Sequence, residues 1–121
     1  MKLELQLHEG LPAVALDKDQ MKMALVNLMI NAIEAMKAGE GVLRVSTLQQ
    51  QQHILIHIED NGKGISKENQ KKLFDPFFTA KKGGMGLGLT SVQNIVQSHL
   101  GEIKVTSEED QGTRFTISIA L

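Results

Sequence analysis

Asn27-Leu28-Met29-Ile30-Asn31-Ala32-Ile33-Glu34-Ala35-Met36 places two asparagines one helical turn apart in a segment that is otherwise apolar on nearly every side. At 100° per residue, Leu25, Met29, Ile33 and Met36 form one stripe; Val26 and Ile30 widen it on one side, and Met21, Leu28 and Ala32 on the other. What remains is a narrow polar strip of Gln20, Asn27, Asn31 and Glu34. So much apolar surface predicts a helix covered on several sides, where a polar side chain without a partner costs about 1–3 kcal/mol. One asparagine alone there reads first as a group bonded to a neighbouring loop. Two at i and i+4, with Glu34 at i+7, point instead towards a ligand or metal site. Asp17 is the expected N-cap, Gln20 at the third helical position approximates a capping box, and Gly39 is a natural stop, so the helix is predicted over 17–37.

Outward from this helix, the chain of 121 residues fits one domain, 1–121, with room for a real core. Its net charge is −1 with lysines and arginines dispersed, which leaves no electrostatic footprint for nucleic acid or an anionic membrane. There is no cysteine, which excludes disulfides and thiolate metal sites and suits a reducing compartment. No apolar run approaches the roughly 20 residues that span a bilayer, and no signal peptide is expected ahead of the first strand.

Leu3, Leu5 and Leu7 alternate with polar neighbours, the period of a strand with one wet face. Residues 42–48 and 53–59 read as an antiparallel pair joined by the glutamines at 49–52. Ser66 can cap a short helix reaching Phe74, a loop rich in glycine and lysine follows over 75–84, and a third helix is expected over 87–99, burying Leu89, Val92, Ile95 and Val96 and closed by Gly101. A last hairpin pairs 102–107 with 113–119, with Phe115, Ile117 and Ile119 facing the core. The order β α β β α α β β predicts an α/β two-layer sandwich: a mixed, mostly antiparallel sheet covered on one face by about three helices.

Three further segments can carry chemistry. Asp60-Asn61-Gly62-Lys63-Gly64 sets a carboxylate just beyond a strand end, beside glycines that let a flat ligand come close, although Asn-Gly is also a common turn pair. Gly83-Gly84-Met85-Gly86-Leu87-Gly88 leads directly into a helix; its N–H groups could cradle phosphates, or the run could serve only as a hinge. Neither a P-loop ending nor a GxGxxG fingerprint is present. Between the two lies Phe74-Asp75-Pro76-Phe77-Phe78, holding three of the four phenylalanines, either a satellite core or the pin of a lid. Lys81 and Lys82 follow, as solvated charges or as phosphate ligands. His53 and His57, four residues apart on a strand, are about 13 Å apart at ~3.3 Å per residue, too far to share a metal.

Taken in order, Asn27-Leu28-x-x-Asn31-Ala32, Asp60-Asn61-Gly62-Lys63-Gly64, the Phe-Phe-Thr-x-Lys run, Gly-Met-Gly-Leu-Gly-Leu and Gly112-Thr113 resemble the Bergerat-type ATP-binding domain shared by gyrase-type topoisomerases, heat-shock chaperone ATPases, histidine kinases and mismatch-repair ATPases. Within that family the chain is most similar to sensor histidine kinases of the nitrogen-regulation and sporulation type. The resemblance implies ATP and Mg²⁺. Asn31 would hold the metal with Asn27 assisting, Asp60 would accept the adenine amino hydrogen, and Gly62 and Gly64 would let the base pack. Phe74 and Phe77 would anchor a lid, Lys81 would reach the phosphates, and Gly84, Met85, Gly86, Leu87 and Gly88 would line them. Thr113 would sit near the adenine pocket, and Glu34 would orient the acceptor or metal shell or simply end the helix.

Position 27 separates branches of the family. Members resembling gyrase place a glutamate there to activate water, and Asn27 cannot act as that base. The resemblance therefore implies phosphoryl transfer from ATP to a histidine on a separate dimerisation domain, then to a response regulator in a two-component phosphorelay. It implies a cytoplasmic setting, on a parent protein that could itself be anchored in a membrane. A serine kinase of the anti-sigma-factor type and a non-catalytic nucleotide-gated binding module are the alternatives. Two departures stand out. Met85 occupies the place of a usual threonine, so a hydroxyl contact is lost while backbone donors survive. No His-Glu-x-x-Asn-Pro segment is present, and His8-Glu9-Gly10-Leu11-Pro12 follows a strand rather than lying on a helix.

Overall fold

The computed structural model describes residues 2–11, 16–37, 39–75 and 87–121. Five strands form one sheet in the order β1-β2-β3-β5-β4, made of β1 (Lys2–Gln6), β2 (Val42–Gln50), β3 (His53–Asp60), β4 (Glu102–Glu108) and β5 (Gly112–Ala120). β1 runs parallel to β2, and every other pairing is antiparallel. The helices are α1 (Lys18–Ala35), α2 (Lys67–Gln70) and α3 (Leu87–Ser98). Alternation puts Ile58, Phe115, Ile117 and Ile119 on the face beneath α1 and α3, where they cluster with Leu28, Val92 and Val96. Leu28, Ile58, Val92, Val96 and Ile117 are fully buried, each contributing roughly 1.5–3 kcal/mol through apolar burial.

α1 departs from the sequence reading in two ways. Its core-facing stripe is Met21, Ala24, Leu28 and Ala32, with Leu25, Met29 and Met36 packed at its edge. The helix is not covered on several sides: Met23, Val26, Ile30 and Ile33 are exposed, because α1 lies on the sheet with α3 along one flank and nothing described covers its outer surface. Asp17 caps it as expected, Oδ1 accepting from Gln20 N at 3.0 Å. It ends at Ala35 rather than Lys37, since Met36 turns extended and the Ala35 carbonyl accepts instead from Lys63 N at 3.0 Å. Gly39 lies beyond, in the following turn, at φ +81°.

α2 is also shorter than predicted. Ser66 caps it through Asn69 N at 3.1 Å, but after Gln70 the chain continues in single turns, Lys72 N to Asn69 O and Asp75 N to Lys72 O, each at 3.0 Å. The β2–β3 connection is two residues, with Gln51 at φ 55°, because the ladder extends through Gln50. At the end of α3 the left-handed residue is Leu100, φ 58°, not Gly101; a side chain at 101 would meet Ser118 O at 2.6 Å. His99 ties the two long helices, with Nε2 accepting from Asp17 N at 2.9 Å and Nδ1 within 2.8 Å of Ile95 O. That pairing is satisfied only by the tautomer protonated at Nδ1.

The other face of the sheet carries a ladder of charges. Arg114 meets Glu59 through Nε and a terminal nitrogen, both at 2.9 Å, and Arg44 meets Glu4 at 3.2 Å. A shallow depression on this face is lined by His53, Leu55, Glu102, Lys104 and Thr116, none of them a candidate site residue. His57 lies on the same face with Nδ1 2.8 Å from Thr116 Oγ1. Burial lowers its pKa, the Arg114 charge lowers it further, and Glu59 opposes both. Below the ordinary imidazole value of about 6.5 the unfolded chain therefore binds more protons than the folded one. The contribution is present above that pH and lost as pH falls through the folded pKa. Melting temperature is expected to decline between pH 7.5 and 5, and His57→Gln should make that decline shallower; equal slopes would contradict the assignment.

Candidate functional site

At one end of the sheet the core-facing row turns from apolar to polar. Asp60 ends β3 directly opposite Thr113 on β5, and Thr113 is opposite Ser107 on β4, so the three side chains continue the row that Ile58, Phe115 and Val105 occupy one step inward. Thr113 is 5% exposed, the one buried polar residue among those described. Asp60 is half-buried, and its Oδ1 accepts from Gly62 N at 2.8 Å, which fixes the carboxylate at the strand end.

The loop after Asp60 is held on both sides by backbone. A side-chain carbon at Gly62 would lie 2.4 Å from Ala35 O, and Lys63 N donates to that same carbonyl, so the loop rests on the C-terminal end of α1. Gly64, at φ +72°, lies against Glu108 O, where a side-chain carbon would come within 2.0 Å, and Asp110 N donates to Lys63 O at 2.7 Å. Gly112 crosses Asp60 O with 2.1 Å for the same imagined atom. Asn61 is a brace: Oδ1 accepts from Val42 N at 2.8 Å, and Nδ2 points to Glu40 O at 3.4 Å. Asn31 lies four residues before Ala35, about 6 Å along the helix axis, and Asn27 one turn further. Both are half-buried on a flank of α1, while Glu34 is exposed.

Phe74 packs on the core, and its carbonyl accepts from Thr90 Oγ1 on α3 at 3.1 Å. This bond joins the two described ends on either side of 76–86. Phe77, Lys81, Gly84, Met85 and Gly86 lie outside the described residues. Leu87 and Gly88 open α3, whose first N–H groups are unpaired within the helix, as in any helix. Three contributors escaped the sequence reading: Ser107, Thr90 and Gln70, whose Nε2 donates to Ile65 O at 2.8 Å and Ser107 O at 3.1 Å. Ser107 carried a detectable signal, since it faces inward on an alternating strand otherwise filled with Ile103 and Val105.

A row of polar side chains at a strand end, a loop packed tightly beside it and paired amides on the adjoining helix suit a flat, amino-bearing base continued by an anionic tail. A family model described as histidine kinase-, DNA gyrase B-, and HSP90-like ATPase matches residues 16–121. The chain belongs to this family. ATP is therefore the nucleotide that its site implies. Among curated proteins the chain is 36% identical to sporulation kinase E of Bacillus subtilis (strain 168) over 119 residues, 98% of this chain and 16% of that one. It is 41% identical to the signal transduction histidine-protein kinase AtoS of Escherichia coli (strain K12) over 117 residues, 96% of this chain and 19% of that one. It thus spans less than a quarter of the length of these relatives. The catalytic domain of histidine kinase ThkA superposes with TM-score 0.86 at 29% identity, covering 98% of this chain and 78% of that one. The mycobacterial sensor histidine kinase MprB gives 0.86 at 27%, covering 98% and 80%.

Among the described residues no helix is long and apolar enough to cross a membrane, and no group of three or more histidine, cysteine or acidic side chains could hold a metal by itself. On the half-buried flank of α1 the side-chain oxygens of Asn27 and Asn31 are amide oxygens. They fit Mg²⁺ in the manner this cation prefers, held by few protein ligands and completed by phosphates and water.

Proposed function

We propose that the chain is the ATP-binding catalytic domain of a two-component sensor histidine kinase, transferring the γ-phosphoryl group of ATP to a histidine on a separate dimerisation domain. In this reading Asp60 accepts from the adenine amino group, Thr113 flanks it, and Gly62 and Gly64 admit the base. Asn31, assisted by Asn27, holds Mg²⁺, which would neutralise phosphate charge. Phe74 and Phe77 anchor the segment covering the nucleotide, while Lys81 and the N–H groups of Gly84 to Gly88 meet the phosphates. Glu34, exposed beyond Asn31, would orient the acceptor or the metal shell. The bond from the γ-phosphorus to the bridging oxygen breaks as the imidazole lone pair forms a P–N bond, ADP leaves, and the other ring nitrogen releases its proton. A response regulator then takes the phosphoryl group.

The observation that carries this reading is Asn27. It stands one turn before Asn31 on the half-buried flank of α1, where water-activating relatives resembling gyrase carry a glutamate. With an amide there, ATP is positioned without a base for water. The sensor-kinase names of the relatives support the same branch. The test is transfer of label from γ-labelled ATP to a separately purified acceptor hairpin of a sensor kinase. Acid-labile, base-stable phosphohistidine is expected. Acid-stable phosphoserine would support the serine-kinase alternative, and ATP binding without any phosphoprotein would support the nucleotide-gated module.

A further inference from the structure

Ser107 makes three short contacts through one hydroxyl oxygen: Ile65 N at 2.8 Å, Gly112 O at 2.9 Å and Thr113 Oγ1 at 2.8 Å. A serine hydroxyl has one proton and two lone pairs. Ile65 N–H can only donate, so it occupies one lone pair. The Gly112 carbonyl can only accept, so it takes the proton. One lone pair remains, and the third contact is satisfied only if Thr113 donates into it. The proton of the buried Thr113 hydroxyl is thereby committed towards β4, and its lone pairs are what it offers on the other side, where Asp60 is its direct cross-strand partner.

We propose that Ser107 is a positioning residue for base selection: by holding the Thr113 proton, it makes Thr113 and Asp60 a pair of acceptors that takes a purine bearing an amino group at C6 and rejects one bearing an oxo group. The inference rests on the adenine pocket proposed above. An amino group supplies hydrogens to such a pair, whereas an oxo group would set its own lone pairs against them. Were the Thr113 hydroxyl free to turn, it could donate to an oxo oxygen, and discrimination would then depend on Asp60 alone. Sites whose polar groups are fixed against the wrong partner discriminate far better than pockets of shape alone.

Titrating the chain with ATP and with inosine triphosphate, which carries oxo for amino at C6 and with it a hydrogen on N1, tests this through the change in their ratio between variants, since the N1 difference is the same for every variant. In Ser107→Ala the ratio of the two dissociation constants is expected to fall about tenfold, equivalent to one hydrogen-bond preference of roughly 1.4 kcal/mol. Inosine triphosphate should bind more tightly than to the unaltered chain while ATP weakens. A purely structural role for Ser107 would weaken both together. Ser107→Thr, which keeps one proton and two lone pairs on a strand that favours β-branching, should restore the ratio. With Thr113→Val already present, Ser107→Ala should leave the ratio unmoved. A ratio unchanged in Ser107→Ala, with ATP still bound, overturns the inference and leaves the pocket standing. Failure of the unaltered chain to bind either nucleotide overturns both.

Discussion

Replacing Asp60 by asparagine is expected to weaken ATP binding about a hundredfold while leaving the melting temperature within a few degrees. On the proposed reading each oxygen of the carboxylate has a task. Oδ1 accepts from Gly62 N at 2.8 Å and fixes the loop, and an asparagine carbonyl can do the same. The other oxygen is the acceptor assigned to the adenine amino group, and in asparagine it becomes an NH₂ that faces another donor. A lost hydrogen bond to a charged group is worth about 1.5–3 kcal/mol, and the unmet donor adds to it. Asp60→Ala removes both tasks and should lose stability as well as affinity. Calorimetric titration with ATP and Mg²⁺ beside thermal melting separates the two. An asparagine variant that binds ATP as tightly as the original chain would show that Asp60 only holds its loop.

The second large effect concerns stability. Gly64→Ala should cost more than about 3 kcal/mol and lower the melting temperature by about 10 °C or more. Two penalties combine there. At φ +72° an alanine incurs about 1–2 kcal/mol for the left-handed conformation. Its side-chain carbon would also come within 2.0 Å of Glu108 O and 2.9 Å of Glu109 Cα, both backbone atoms. Relief requires the loop to leave the β4–β5 turn, which breaks the bond from Asp110 N to Lys63 O and shifts the strand end that carries Asp60. Gly39 provides the control: its φ is +81°, and nothing lies within 4 Å of the same imagined atom. Gly39→Ala should therefore show the dihedral penalty alone, about 1–2 kcal/mol. If the two variants melt together, close packing at Gly64 contributes nothing.

The architecture was readable because its periodicities are simple. Alternation in 113–119 located the inner face of β5, and the spacing of Leu89, Val92, Ile95 and Val96 located α3. The α1 face was misjudged for a physical reason. Ala24 and Ala32 are nearly fully buried because small side chains let the helix approach the sheet, while the larger Ile30 and Ile33 stay exposed. A reading weighted by hydrophobic size pulls the stripe towards the larger residues. The ends of α1 and α2 were misplaced because they are decided by distant partners, Lys63 for Ala35 and Ser107 for Gln70, which no local pattern contains.

The site divides similarly. Asp60, Gly62, Gly64 and Thr113 were legible as motif residues, and the structure brings them to one strand end. Their supports were not. Asn61 read as half of a turn pair, and its role depends on Val42 and Glu40, about twenty positions away. Ser107 and Thr90 are single hydroxyls whose meaning comes from what the fold sets opposite them.

In the proposed function ATP is held here for a protein acceptor rather than for water. The most direct measurement follows the γ-phosphate in one preparation, first with the chain alone and then with an equimolar acceptor hairpin. Alone, the chain should bind ATP and release inorganic phosphate only slowly. With the hairpin present, the label should move to phosphohistidine faster than inorganic phosphate appears. Multiple turnovers of ATP by the chain alone, with no label on the hairpin, would contradict the account, because Asn27 would then be no obstacle to hydrolysis.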